Sequence, residues 1–171
     1  MALPRKLKNQ NLFNDGTSYV GQIASVTLPK LGRKMEGWRG GGMNGPVKTD
    51  FGLSDDGIQL EWTLGGLDPI VLGQFGITNA SGVQLRFAGA YQRDDTAEIS
   101  AVEVVVRGRH ELIDPGESKT GEDTEHSVTT TCTYYKLTID GQVVIEIDLL
   151  NMVEKVNGQD RLAEQRRAIG L

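Results

Sequence analysis

Three groups of residues have types and spacings that could support chemistry, and the first is rich in glycine. Gly40, Gly42 and Gly45 match the GxGxxG spacing of a dinucleotide-binding loop. In that loop the glycines follow a strand and open a helix, whose N-terminus holds the phosphates. Here Pro46 and a second extended segment follow, so the pattern predicts a flexible turn rather than a cofactor site.

The second group is the acidic segment at residues 114–125. Asp114 and Glu125 stand at the two ends of a twelve-residue span, as the end ligands of a calcium-binding EF-hand loop do. That loop needs glycine at its sixth position, which is Lys119 here, and a ligand at its third, which is Gly116. No helix is predicted on either side. With five acids against one lysine, a net charge of −4, the segment reads as a solvated acidic loop.

The third group contains the two histidines and the single cysteine. His110 and His126 are not at metal-ligand spacing from each other or from Cys132. We expect both histidines at the surface or at a strand edge, and Cys132 as a small buried apolar residue in a strand. The carboxylate pairs Asp55-Asp56 and Asp94-Asp95 fall in turns, where aspartate is favoured by local hydrogen bonding. No catalytic constellation emerges, so we predict neither an enzyme nor a cofactor.

The elements that carry these residues are β-strands, and the longest β-type pattern covers residues 124–148. Thr, Tyr and β-branched residues dominate 128–139, and such side chains suit a pleated sheet. Asp140-Gly141 supplies the pair that a type I′ turn requires, and 143–147 returns as the partner strand. The pattern predicts a long antiparallel hairpin.

Simple alternation places Val128, Cys132 and Tyr134 on one face of the outgoing strand. The opposite face receives threonines together with Tyr135, Leu137 and Ile139. Neither set is cleanly polar, so we expect much of both faces to be covered, either by a second layer or by another subunit.

Further strands are predicted at 18–28, 58–64, 83–87 and 98–109 from β-type composition and apolar residues at a period of two. Asn14-Asp15-Gly16, Asp94-Asp95 and Asn157-Gly158 read as turns. The predicted class is mainly β, an antiparallel β-sandwich or partly open barrel of about seven or eight strands.

Two short helices complete the prediction. Asp68-Pro69 starts the first with an N-cap and a proline at the first helical position. It ends near Gly76, and its apolar Val71, Leu72 and Phe75 should pack on the sheet. The second is predicted at 160–169, stopped by Gly170, with one stripe formed by Leu162, Gln165 and Ile169.

Residues 33–53 form a second hairpin that is poor in apolar residues. Its segments 34–39 and 47–53 flank the glycine-rich tip at 40–46. The apolar residues of its two segments are Met35, Trp38, Val47, Phe51 and Leu53. Because an isolated two-stranded hairpin is at best marginally stable in water, we expect this one to be mobile or completed by another chain, with the tip disordered in the free monomer.

Composition limits the function classes. A chain of 171 residues with 38% hydrophobic content is long enough for one domain with a real core. The net charge of −5 argues mildly against a dedicated nucleic-acid binder. No secretory signal or membrane span is apparent, and one cysteine cannot form an internal disulfide. Basic residues gather in the first forty positions, opposite in sign to the 114–125 loop, which suits contacts between identical copies.

Several long stretches identify a family resemblance over essentially the whole chain. They are MALPRKLKNQNLF, SVTLPKLGRKMEGWRGGGMNGPV, RFAGAYQRDDT, EVVVRGRHELIDPGESKTGEDTE and NMVEKVNGQDRLAEQRRAIGL. With these in the same order, the sequence resembles the major tail tube proteins of P2-type contractile-tailed bacteriophages and, more distantly, the tube proteins of R-type pyocins.

The resemblance implies one tail tube domain over residues 1–171, with a protruding hairpin at 33–53. It implies a homohexameric ring, rings stacked into a hollow tube for DNA ejection, and contacts between rings made by the hairpin and the termini. Residues expected at those contacts are Arg33, Lys34, Trp38, Arg39 and Met43. Implied partners are the tail sheath, baseplate and tail-terminator proteins, in a virion tail that is assembled in the host cytoplasm. DNA would pass through the lumen without specific binding, and no membrane insertion is implied.

Three other interpretations remain open. The first is the tube of a DNA-free contractile bacteriocin, the second a monomeric β-sandwich module that binds a glycan or a metal, and the third an enzyme of unseen mechanism. Size in solution separates a tube protein from the last two.

Overall fold

The computed structural model describes every residue from Met1 to Leu171, and antiparallel strands form most of it. Twelve strands and two short helices follow one another in the chain. The predicted class, mainly β and antiparallel with two short helices, is confirmed. Neither helix is long and apolar enough to cross a membrane. The elements are β1 Lys6–Asn14, β2 Thr17–Ser18, β3 Ile23–Thr27, β4 Arg33–Trp38, β5 Val47–Leu53, β6 Ile58–Leu64, α1 Pro69–Gly73, β7 Val83–Gln92, β8 Ile99–Asp114, β9 His126–Ile139, β10 Gln142–Asp148, β11 Val153–Val156, β12 Gln159–Asp160 and α2 Ala163–Ala168.

The predicted central hairpin is confirmed as β9 and β10. Asp140 and Gly141 have φ angles of 49° and 80°, as a type I′ turn requires. β8 pairs along one edge of β9, while the other edge is shared between β6 and then β10. The large sheet therefore branches at β9, with β8-β7-β1-β2 on one side and two arms, β6-β3 and β10-β11-β12, on the other.

A bulge at Thr133 marks the branch point. Arg107 pairs with Tyr134 but the next residue, Gly108, pairs with Cys132, which leaves Thr133 as the extra residue. A Cβ on Gly108 would lie 2.0 Å from the carbonyl oxygen of Thr131, so only glycine fits this close approach.

The bulge reverses the alternation of β9, and the predicted face of Tyr134 is wrong. Tyr135 is buried in its place, and the Tyr134 ring lies on the other face, 4.0 Å from the guanidinium carbon of Arg107. An extra residue shifts a period of two by one position. Before the bulge, one face of β9 is buried and the opposite face is only half-buried within a single chain.

Sequence reasoning missed the first strand. The chain begins its sheet with β1, Lys6–Asn14, which pairs with β7. The strand predicted at 18–28 is wrong in its bounds, because a turn at Tyr19 to Gln22 separates β2 from β3. The strands predicted at 58–64, 83–87 and 98–109 are confirmed as β6, β7 and β8, the last two being longer than predicted.

The C-terminal segment also departs from prediction. Two short strands, β11 and β12, flank the confirmed Asn157-Gly158 turn. Helix α2 is Ala163–Ala168, shorter than the predicted 160–169, and the predicted stripe is wrong because Gln165 and Ile169 are exposed. Arg166 is partly buried instead and donates to the Met152 carbonyl at 2.7 Å and to the Asp160 carboxylate.

The core is one cluster of sixteen buried side chains, drawn mainly from β6, β7, β8 and β9. Helix α1 contributes only Val71 to it. The predicted apolar face of α1 is therefore wrong in part, because Leu72 is 44% exposed and Phe75 is 73% exposed. Polar contacts at its two ends also hold this helix on the sheet.

Candidate assembly interface

The second hairpin, β4 and β5, is a separate two-stranded sheet. Its strands pair with each other and with no other strand. Trp38 lies opposite Val47 next to the tip, and a bulge at the other end coincides with Gly52, whose φ is +101°. Its covalent connections to the large sheet are the two short segments that follow β3 and precede β6.

This hairpin presents apolar side chains to solvent. Trp38 is 68% exposed and Phe51 62% exposed, and Met35 and Val47 are also exposed. Of its larger apolar residues only Leu53, at the base, packs against the core. Solvent-exposed apolar groups on one small element are typical of a surface that binds another molecule.

Trp38 is the only one of the five predicted contact residues whose side chain is both exposed and free of hydrogen bonds and ion pairs within the chain. Arg33 bonds to Asp50, with Nε 2.9 Å from Oδ2, and to Glu154, with Nη1 2.5 Å from Oε1. The Arg33 guanidinium lowers the pKa of the Asp50 carboxyl below its usual value. Lys34 Nζ lies 2.8 Å from Asp55 Oδ2.

Arg39 and Met43 make hydrogen bonds within the tip of the hairpin. Arg39 Nη2 donates to the Asn44 carbonyl at 3.0 Å, and Met43 Sδ accepts from the backbone N–H of Gly40 at 3.0 Å. Met43 N–H also donates to the Gly40 carbonyl at 3.2 Å. The GxGxxG glycines therefore lie in a turn between two strands, and no helix follows them.

The structure also shows a buried polar network beneath α1 that sequence reasoning missed. Asp68 caps the helix by accepting from Ile70 N–H at 3.2 Å, and its other oxygen accepts from the Tyr19 hydroxyl. Gln74, which follows the helix, donates from Nε2 to Asn14 Oδ1 at 2.9 Å. Polar groups at both ends thus fasten α1 to the sheet.

The predicted surface position of the histidines is wrong, since both belong to this network. His110 is 8% exposed; its Nε2 lies 2.8 Å from Gln74 Oε1 and its Nδ1 3.0 Å from Thr130 Oγ1. Burial lowers the pKa of His110 to about 4. His126 is fully buried and accepts from the Asp68 N–H at Nδ1, while its Nε2 has no partner. Most of the network is buried, and it holds the helix on the sheet.

The remaining candidates have structural roles. Cys132 is buried, as predicted, and burial raises the pKa of its thiol to about 12. Residues 115–125 form the predicted acidic loop between β8 and β9, mostly exposed and with no flanking helix. No group of three or more His, Cys, Asp or Glu side chains is placed to hold a metal ion.

Comparisons with known proteins agree on one family. A family model described as phage tail tube protein FII matches residues 4–170. The chain is 56% identical over 172 residues to the tail tube protein of Escherichia phage P2, covering all of both chains. It is 42% identical over 160 residues to the major tail tube protein of Serratia phage KSP20, covering 94% of this chain and 92% of the relative.

Proposed function

The chain belongs to the phage tail tube protein FII family, and we propose that it is the structural subunit of the inner tube of a contractile phage tail. Six copies form a ring, and stacked rings enclose a channel through which DNA is ejected into the host. Its relatives are named as parts of a phage tail, a structural role and not an enzymatic one.

The observation that carries this proposal is the separate hairpin of β4 and β5. Its two strands pair with no other strand of the chain, yet it exposes Trp38, Val47 and Phe51. Tryptophan is among the side chains that contribute most to the binding free energy of an interface when a partner removes them from water. The partner is the next ring, and Trp38 is the central contact, with Met43, Arg39 and Lys34 around it and Arg33 at the base of the hairpin.

Contacts made through the hairpin fit a protein whose identical copies form a polymer. A patch that meets a different patch on the next copy generates rings when the rotation closes and filaments when it does not. Both kinds of contact are needed here, one within the ring and one between rings. Tube growth starts on the baseplate and ends at the tail-terminator protein, the sheath surrounds the tube, and assembly takes place in the host cytoplasm before the virion is released.

The channel wall is acidic or neutral, because a basic lining would bind phosphate and stop DNA from sliding. The net charge of −5 supports this, as does the acidic 114–125 loop. DNA passes without specific recognition. An assembled tube with a wall rich in Lys and Arg would overturn this part of the proposal.

Size in solution tests the function. We expect the purified chain to give rings or long polymers in sedimentation velocity, with hollow tubes in electron micrographs of the same sample. A single species near 18.6 kDa at every concentration would contradict the proposal and favour a monomeric binding module.

A further inference from the structure

One ion-paired cluster joins the second hairpin to the large sheet. Arg33, the first residue of β4, bonds to Asp50 of β5 and to Glu154 of β11. Of the side-chain hydrogen bonds and ion pairs of the hairpin, Arg33 to Glu154 is the only one that reaches a strand of the large sheet; Lys34 reaches Asp55 in the connecting segment. The Glu154 side chain is 16% exposed, so this pair is better shielded from solvent than most surface pairs.

The position of the cluster allows it to limit how the hairpin moves relative to the large sheet. Backbone pairing fixes β4 to β5 but fixes neither strand to the large sheet. A two-stranded element joined by two short connections can pivot about them. This freedom is lost when a partner later fixes the element, and its loss opposes binding. A guanidinium that binds two carboxylates from two directions opposes such pivoting, because its planar donors hold both at once.

We propose that Glu154 is a positioning residue for tube assembly: through Arg33 it holds the hairpin at the angle from which Trp38 reaches the next ring. This inference rests on the proposed function. It also changes the role expected for Arg33, which acts inside its own subunit rather than across rings. Asp50 completes the cluster, and its bond to the N–H of Gly52 at 2.8 Å ties the same carboxylate to the bulge at the hairpin base.

The test variant is Glu154→Gln, which keeps the size of the side chain and removes its charge. We expect the critical concentration for tube formation to rise about two- to fivefold, the upper part of the range for losing one surface ion pair. Below that concentration, backbone amides at 34–52 should exchange with deuterium faster than in the unmodified chain. Arg33→Lys should act in the same direction, because one ammonium cannot hold two carboxylates in a fixed fork.

Glu164→Gln is the matched control. It makes the same chemical change ten residues away, on an exposed residue of α2 with no ion pair. It should leave both the critical concentration and the exchange of 34–52 unchanged. A Trp38→Ala variant measured in parallel separates the two proposals.

The outcomes are decisive in each case. If Glu154→Gln leaves assembly unchanged while Trp38→Ala abolishes it, the positioning role is wrong and the proposed function stands. If Glu154→Gln speeds hairpin exchange but lowers the critical concentration, the pair restrains assembly and the proposal is overturned. If neither Glu154→Gln nor Trp38→Ala alters assembly, the hairpin is not the contact between rings, so the positioning role of Glu154 and the contact role of Trp38 both fail, while the tubes that form still support the proposed function.

Discussion

His110 Nε2 lies 2.8 Å from Gln74 Oε1, so a histidine of strand β8 binds the residue that ends helix α1. The pair is buried, as are its partners Asn14 and Thr130, while a further partner of Gln74, the Asp15 carboxylate, is exposed. A short helix with one buried apolar residue is thus held on the sheet by hydrogen bonds at its ends.

Acidification should weaken this attachment. The pKa of His110 is about 4 in the folded chain, lowered from 6.5 by burial and by the neighbouring His126, with Asp15 opposing. Protonation is therefore easier in the unfolded chain, and the stability contributed by neutral His110 is full above about pH 6.5 and is lost as the pH falls towards 4. The expected loss is about 3 kcal/mol once the pH is below 4, and about 2 kcal/mol of it falls between pH 7 and pH 4.5.

Chemical denaturation between pH 7 and pH 4.5 measures this, with His110→Gln as the comparison. That variant should be less stable at pH 7 but should show a flatter dependence on pH. The window avoids Asp50, Asp95 and Asp160, whose pKa values lie below the usual 3.8 because each carboxylate bonds to an arginine. Equal pH slopes for the two proteins would show that His110 is not the group responsible.

The orientation of α1 and the turn after it predicts that one apolar substitution lowers the free energy of unfolding clearly and that another hardly changes it. Val71→Ala removes buried methyl groups from the core and should lower the free energy of unfolding by about 2 kcal/mol. Phe75→Ala removes a larger side chain that is 73% exposed and should change it by less than about 0.5 kcal/mol. Urea unfolding of the unassembled chain decides, and a larger loss for Phe75→Ala would mean that the helix packs on its other face.

A strand can be predicted from the sequence when its own residues carry a periodic pattern, but not when its place in the sheet depends on a distant partner. Strands β6 to β9 were predictable because burial on one side imposes a period of two, as in Ile58, Leu60, Trp62 and Leu64. Strand β1 carries Lys, Asn and Gln along most of its length, so its membership of the sheet depends on pairing with β7, which no local pattern reveals. The reversal at Thr133 was hidden for a similar reason, since a bulge is set by the partner strand.

Histidine burial could not be predicted from spacing. The groups that satisfy His110 come from Gln74 and Thr130, which are 36 and 20 residues away in the chain. The candidate interface was predictable in part, because the weak core of the hairpin and its glycine-rich tip are visible in the sequence. Its ion pair with Glu154 was not, because the two residues are 121 positions apart.

The tip of the hairpin should change its dynamics on assembly. Residues 40–46 are held by a few contacts within the tip, such as the bond from Arg39 to the Asn44 carbonyl, and these groups are exposed. We expect amide exchange there to be rapid in the unassembled chain and slow in the tube, so that the cost of ordering the tip hinders spontaneous nucleation. Hydrogen exchange on both forms measures it; a tip already protected in the free chain would refute the idea.

Removing the exposed side chain of Trp38 should prevent assembly without preventing folding. Trp38→Ala combined with Arg39→Ala should leave a folded protein, with unfolding free energy changed by less than about 0.5 kcal/mol, that no longer forms long tubes. Truncation of a desolvated Trp typically costs about 2 kcal/mol or more at an interface, and the loss recurs at every copy. Val20→Ala, at a residue that is also 68% exposed but lies outside the hairpin, should assemble normally.

Circular dichroism and electron microscopy of the same samples read folding and assembly separately. Normal tubes from the double variant would exclude the interface role of Trp38. An unfolded double variant would mean that the hairpin belongs to the core of the subunit.

The most direct measurement is a cryo-electron microscopy structure of the tube assembled from this chain. We expect Trp38, exposed in the single subunit, to be buried there against a copy in the adjacent ring, while Arg33 remains bonded to Glu154 of its own chain. A tube in which Trp38 stays in solvent and the rings meet through other residues would contradict it.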